Sequence, residues 1–207
     1  MSRNKRGKYT RQSPMRQIRN RVLVMCSGET EEIYFKYYKT RHKKDLENVN
    51  IKIAMHKKSN PLAVVKAALE QKADYDEIWA VFDKDDFTDF DEAIAFAVSN
   101  EINCAFSNEA IEYWFFLHFE NRTGAISRTA LNSELTKNLG FEYKKSAESI
   151  QRTCDKIKNK IIKAEERAQI GHERHIVDSG KNPSYWRSCT TVYALTKRLR
   201  EWSQAKK

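Results

Sequence analysis

No apolar run in this sequence approaches the roughly 20 residues that a membrane span needs, so no membrane segment is expected. The start is basic but has no apolar stretch of the kind a secretory signal carries. The four cysteines, Cys26, Cys104, Cys154 and Cys189, are scattered, with no CxxC and no Cys/His cluster. That argues against a zinc site and a disulfide framework, and a reducing cytoplasm is the expected compartment. Cys26 and Cys104 lie in apolar runs, where cysteine acts as a small hydrophobe. There is no GxxxxGK[ST] and no GxGxxG, which argues against a Walker or dinucleotide site. His172 and His175 lack the HExxH spacing and read as surface residues. Repeats and long low-complexity tracts are also missing.

The charge that is there is unevenly placed. Residues 1–28 hold eight Lys or Arg and no acid. Residues 29–143 carry a net −7 and residues 144–207 a net +9, within a total of +10. Two basic ends flank an acidic middle. Nucleic acid, DNA or RNA, is the natural partner of such ends, although a solubilising tail and a solvated helix face are the plainer explanation. The candidate contacts are Arg16, Arg19, Arg21, Lys144 and Lys145.

Residues 1–20 lack apolar periodicity and read as a disordered basic arm. From Arg21 a rhythm begins. Val22–Cys26, Ile51–Met55, Ile78–Phe82 and Ile102–Phe106 are strand candidates, each spaced to leave room for one helix. Residues 30–44 read as the first helix, acidic at its start and basic at its end, as the helix dipole favours. Asn60-Pro61 supplies a cap and a first-turn proline for the second, with Leu62, Val65 and Leu69 as its stripe. Thr88 can cap the third, whose apolar face is Phe90, Ile94, Ala97 and Val98. Such alternation predicts a parallel four-stranded sheet covered by helices. Asn108–Glu120 reads as one buried helix. A stripe of Ile150, Cys154, Ile157 and Ile161, stopped near Gly171, and another of Val192, Leu195, Leu199 and Trp202 predict a helical extension. The chain thus divides into an arm over 1–20, an α/β core over 21–120 and a helical extension over 121–207.

In open parallel sheets, chemistry gathers at the carboxyl ends of the strands. "VFDKDDF" (Val81–Phe87) places Asp83 and Asp85 two residues apart after a buried-looking strand, which on an extended segment puts both carboxylates on one side. The plain explanation is a polar turn. The sharper one is a hard-cation site for Mg²⁺ or Mn²⁺, since carboxylates sharing one space repel unless a cation neutralises them. A second acidic strand end, Glu29, Glu31 and Glu32, converges on it if the first and third strands are neighbours. Glu112, on an otherwise apolar helix, needs a partner: a metal, or a base such as Lys144. His118 reads as a satisfied core or helix-end histidine.

Taken together, "VMCSGETEEIYF" (Val24–Phe35), "VFDKDDF", "AFSNEAIEYWFFLHF" (Ala105–Phe119), Tyr143-Lys144 and "NPSYWRSCTTVYAL" (Asn182–Leu195) resemble the RloB family, whose members look like Toprim-fold proteins. The resemblance implies a Toprim-like α/β core and a role in bacterial defence against phage, often beside an ATPase or restriction–modification genes. It implies that Asp83 and Asp85 match the Toprim Asp-x-Asp, that Gly28 matches the glycine of its Glu-Gly, and that Glu31 is a further acid. Ser27 stands where that pattern has its first glutamate, and a serine carries no negative charge. The implied activity is phosphodiester hydrolysis of DNA or RNA. Glu31, Asp83 and Asp85 would hold Mg²⁺ or Mn²⁺, and Glu29 or Glu112 would act as base. Two other readings stand beside it: a non-catalytic nucleic-acid- or partner-binding subunit on a degenerate scaffold, and a toxin controlled by an ATPase partner.

Overall fold

Val22–Cys26 contains no polar side chain other than a thiol, and such a run is at home only where a sheet is covered on both faces. The computed structural model, which describes residues 20–122, 124–179 and 182–204, places it there. The basic arm expected over residues 1–20, with Arg16 and Arg19, lies outside the described residues apart from Asn20.

The parallel strands are β1 (Asn20–Cys26), β2 (Val49–Met55), β3 (Glu77–Asp83) and β4 (Asn103–Asn108). Each covers the run predicted for it or all but its first residue. A fifth strand, β5 (Cys189–Thr190), adds an antiparallel edge that the expected four-stranded sheet lacks. It is two residues long, too short to leave a periodic signal. The sheet order is β2-β1-β3-β4-β5, so the chain reverses its direction of winding between β1 and β3. Cys26 lies beside Val81 and Asp83 beside Ser107, so β1, β3 and β4 end together. The arrangement is consistent with a Toprim-like fold.

The two-residue period of the strands splits the interior into two layers. Val22, Val24, Cys26, Trp79, Val81 and Ala105 point to one face, and Leu23, Met25, Ile78, Ala80, Phe82 and Phe106 to the other. The second face is covered by α2 (Pro61–Leu69) and α3 (Phe90–Ser99). The first is covered by α1 (Glu29–Arg41), α4 (Glu112–Leu117), α5 (Arg128–Leu139), α6 (Ala147–Ile157), α7 (Ile161–Ser179) and α8 (Val192–Gln204). Leu131, Leu135, Ile150, Leu195 and Leu199 lie in one apolar cluster with Val22 and Val24, so the helices beyond residue 120 share the core of the sheet.

Several helix expectations change. Asn108–Glu120 is not one helix: Asn108 completes β4, and α4 spans only Glu112–Leu117. The Asn108 amide donates to the carbonyls of Pro183 and Ser184, which holds it out of a helix. Thr88 does not cap α3. Asp89 occupies that position, but its carboxylate accepts from Asn60 and from the Leu62 N–H, and so caps α2 from the far side of a loop. Val98 is exposed, and Ala93 takes its place in the buried face. The chain breaks between Ile157 and Ile161, whereas α7 runs through Gly171. His172 is not a bare surface residue: it lies between Trp186 and Tyr193 and meets the Tyr193 hydroxyl at 3.0 Å.

Leu195 is fully buried where α8 meets the sheet's layer. Leu195→Ala is expected to cost about 2–5 kcal/mol. In a urea melt followed by circular dichroism and tryptophan fluorescence, the whole transition should shift as one. A shift confined to a separate C-terminal phase would contradict the shared core.

Candidate functional site

The common end of β1, β3 and β4 is built by extending their pairing past the strands. The Ser27 N–H donates to the Val81 carbonyl, Lys84 N–H to Ser107 O, and Asp85 N–H to Glu109 O. This register brings the Ser27-Gly28 turn beside Asp83. From the turn, α1 starts at once, and its first winding carries Glu31 back over the strand end. Glu31 is 4 % exposed and accepts a long hydrogen bond, 3.4 Å, from the Ser27 hydroxyl. A Cβ on Gly28 would lie 2.7 Å from Glu31 Oε2, so the glycine leaves room for that carboxylate. Glu29, at the same helix start, is exposed. The strand end therefore presents Glu31 to the site and turns Glu29 to solvent.

Asp83, the last residue of β3, is buried. Asp85 does not follow it on an extended segment. The chain turns at Lys84, and Asp85 takes a φ of +40°, a left-handed conformation that aspartate tolerates better than most side chains. That turn swings the Asp85 carboxylate outward onto Arg128, the first residue of α5, with which it forms an ion pair.

Glu112, the first residue of α4, has no exposed surface. Its Oε1 accepts from the Tyr143 hydroxyl at 2.8 Å and pairs with Lys145 Nζ at 3.1 Å. Its Oε2 is buried with no hydrogen-bond partner. Its basic partner is thus Lys145 and not Lys144, whose ammonium pairs with exposed Glu142 at 2.8 Å. Neither Arg128 nor Tyr143 was given a role by sequence. The buried charge of Glu112 was the available signal, because it required a donor from outside its own helix.

The four carboxylates feel one another. Burial pushes Asp83 well above the ordinary aspartate value, and the charges of Glu31, Glu112 and Asp85 push it further. The Ile111 backbone N–H, donating to Asp83, pulls the other way. Glu31 is also raised, by burial and then by Glu112, against the effect of its own backbone N–H. Asp85 is raised by burial, opposed by Arg128 and Lys145. Burial works against the Lys145 ammonium, but Glu112, Asp83 and Asp85 together hold its pKa above its usual range.

Such an all-oxygen, anionic donor set suits a hard divalent cation, and the unpartnered Oε2 of Glu112 is a donor to spare. Among the described residues, however, no three His, Cys, Asp or Glu side chains stand ready as a cation cage. The carboxylates converge, but two of them rest on basic side chains. The other sequence candidates lie elsewhere. Arg21 pairs with Asp76 at the opposite end of β1, five residues and about 17 Å from Cys26. His118 is 3 % exposed, meets the Trp114 carbonyl at 2.9 Å, and is pushed down to about 4 by burial, as a satisfied core histidine should be.

The RloB-like protein family matches residues 22–199, which takes in every element from β1 to most of α8. The chain belongs to the RloB family. No curated protein and no solved structure matches it. The RloB-like match spans all four converging carboxylates and also Arg128, Tyr143 and Lys145, so the basic partners belong to the same family unit as the acids. No helix among the described residues is long and apolar enough to cross a membrane.

A raised carboxylate binds its proton more tightly folded than unfolded. Asp83 therefore lowers stability as pH rises above its ordinary value of 3.8. In chelator-treated protein, Asp83→Asn should melt several degrees higher than the parent at pH 8. The difference should shrink towards pH 4, measured by calorimetry across that range. An equal shift at both pH values would show that burial does not raise the Asp83 pKa.

Proposed function

We propose that the chain is a divalent-metal-dependent nuclease, hydrolysing phosphodiesters of DNA or RNA, and the effector of a bacterial defence against phage. The observation that carries this reading is the convergence of Glu31, Asp83, Asp85 and Glu112 at the point between β1 and β3 where the winding reverses, the usual ligand position of open α/β sheets. Glu31, Asp83 and Asp85 are the candidate ligands of Mg²⁺ or Mn²⁺. Such an ion supplies positive charge that polarises a phosphate and lowers the pKa of water. Asp83 and Glu31, both buried, fix the inner wall of the site. Glu112, oriented through Oε1 by Tyr143, offers its unpaired Oε2 as proton acceptor. Glu29, exposed, is the weaker candidate for that role.

The substrate's charge is met at the same edge. Lys57 and Lys58 are exposed and follow the end of β2 that pairs with the end of β1, and Lys84 and Arg128 lie against Asp85. A cytoplasmic location, expected from the scattered cysteines, and an ATPase partner, expected from the family, accompany this reading.

A second reading is favoured by Ser27, which removes one acid from the Toprim pattern, and by the basic side chains seated on Glu112 and Asp85. In that reading the chain binds nucleic acid or a partner protein without cutting.

The discriminating measurement is a titration of Mg²⁺ and Mn²⁺ against a panel of single- and double-stranded DNA and RNA, with the parent and Asp83→Ala side by side. Loss of an outer-shell partner typically costs roughly 10–100-fold, so loss of a ligand should lower cleavage by about 100-fold or more while circular dichroism stays unchanged. Full Mg²⁺-dependent cleavage by the Asp83→Ala/Asp85→Ala double variant would sink the nuclease reading. Binding with a steep salt dependence and no cleavage at any metal concentration would establish the second.

A further inference from the structure

The carboxylate site is neutralised in part by a side chain that can leave. Lys145 stands in the connector between α5, which ends at Leu139, and α6, which begins at Ala147. The connector's backbone is fixed. Tyr143 N–H donates to the Thr136 hydroxyl at 3.0 Å, and Lys144 N–H to the Ser149 hydroxyl at 2.9 Å. The Lys145 side chain is another matter. It is 49 % exposed, while the Glu112 it reaches is 0 % exposed. The stem runs from solvent to a buried charge, and four rotatable bonds let the ammonium swing back to water with no movement of the main chain. When it does so, Glu112 keeps the Tyr143 hydroxyl on Oε1. The carboxylate would then stay oriented, with Oε2 and the position vacated beside Oε1 left for another cation.

The ammonium is also felt beyond Glu112. It favours the charged forms of Glu31 and Asp85, and it is itself held by Asp83. It therefore acts on all four acids at once, which is the electrostatic role of a central cation. Arg128 differs: it acts on Asp85 at the outer rim, through a planar guanidinium at the start of a helix.

We propose that Lys145 is a tethered counter-ion that competes with a divalent cation for these carboxylates, so that it sets the cation concentration at which the site fills. This rests on the reading of Glu31, Asp83 and Asp85 as cation ligands, with Glu112 beside them. Arrival of the divalent ion displaces the ammonium into solvent, at the edge where a phosphate substrate would lie.

The test is isothermal titration of Mn²⁺ into chelator-stripped parent protein, Lys145→Met and Lys145→Arg. Removing a unit positive charge from beside the carboxylates should tighten Mn²⁺ binding on the order of tenfold, whereas Lys145→Arg, which keeps the charge, should bind as the parent does. A side chain that merely held Glu112 in place would give the opposite sign, with weaker binding in Lys145→Met. Lys145→Gln, neutral but still able to donate to Glu112, gives the same comparison if Lys145→Met does not fold. Equal or weaker Mn²⁺ binding in the neutral variants overturns this proposal and leaves the metal site standing. No Mn²⁺ binding by any of the proteins overturns both.

Discussion

Carboxylates crowded at one strand end must be neutralised, and much of this molecule is arranged around that requirement. Asp83 and Glu112 are buried, and moving an unpaired charge out of water costs several kcal/mol per ion. The sheet cannot avoid the crowding. Once Cys26 lies beside Val81, the turn that begins α1 must stand next to the end of β3. The relief comes from other parts of the chain: the Ile111 N–H on Asp83, Tyr143 and Lys145 on Glu112, Arg128 on Asp85. Even so, Asp83 and Glu31 stay above their ordinary range and one Glu112 oxygen keeps no partner, which is what the proposed cation site requires.

The same requirement ties the helices beyond residue 120 to the strands before it. Arg128 opens α5, and Tyr143 and Lys145 follow that helix. The connector is anchored to α5 by the Tyr143 N–H on Thr136 and to α6 by the Lys144 N–H on Ser149. The connector therefore holds the donors of a buried acid in place, and Leu131, Leu135 and Ile150 fix it there through the shared core. Division of the chain at residue 120 would separate Glu112 from the groups that satisfy it.

The parallel strands were legible because their signal is local: an apolar run of fixed length between turn residues. What failed was long-range. The two residues of β5 are a strand only because Ser107 and Asn108 are there to pair with them. Asn108–Glu120 is apolar enough to read as a helix, yet Asn108 is claimed by the Pro183–Ser184 carbonyls, some 75 residues away. At the site, Asp83 could be picked from strand-end position, Glu31 was separated from Glu29 and Glu32 only by the family resemblance, and Glu112 followed from the cost of burying it. Lys145 could not be told from Lys144, since adjacent residues on an irregular connector have no period to separate them. Asp85 was legible as a site acid, but its left-handed backbone and its pairing with Arg128 left no sequence signal.

Net charge was the least specific guide. The +9 of residues 144–207 suggests a surface for nucleic acid, but several of its basic side chains are held by other parts of the fold. Arg198 grips Glu77 at the start of β3, Arg200 pairs with buried Glu165, and Arg167 donates to the Leu117 carbonyl. Lys145 itself is directed at Glu112. Arg21, basic and early, lies at the amino end of the strands, on the wrong side of the sheet for the acids. In the proposed reading, the positive groups placed to meet a phosphate are those few that share the carboxyl edge with Glu31 and Asp83. There, position relative to the sheet decides their role, because a charge a strand's length away, about 17 Å, lies beyond the screening distance of roughly 8 Å at physiological salt.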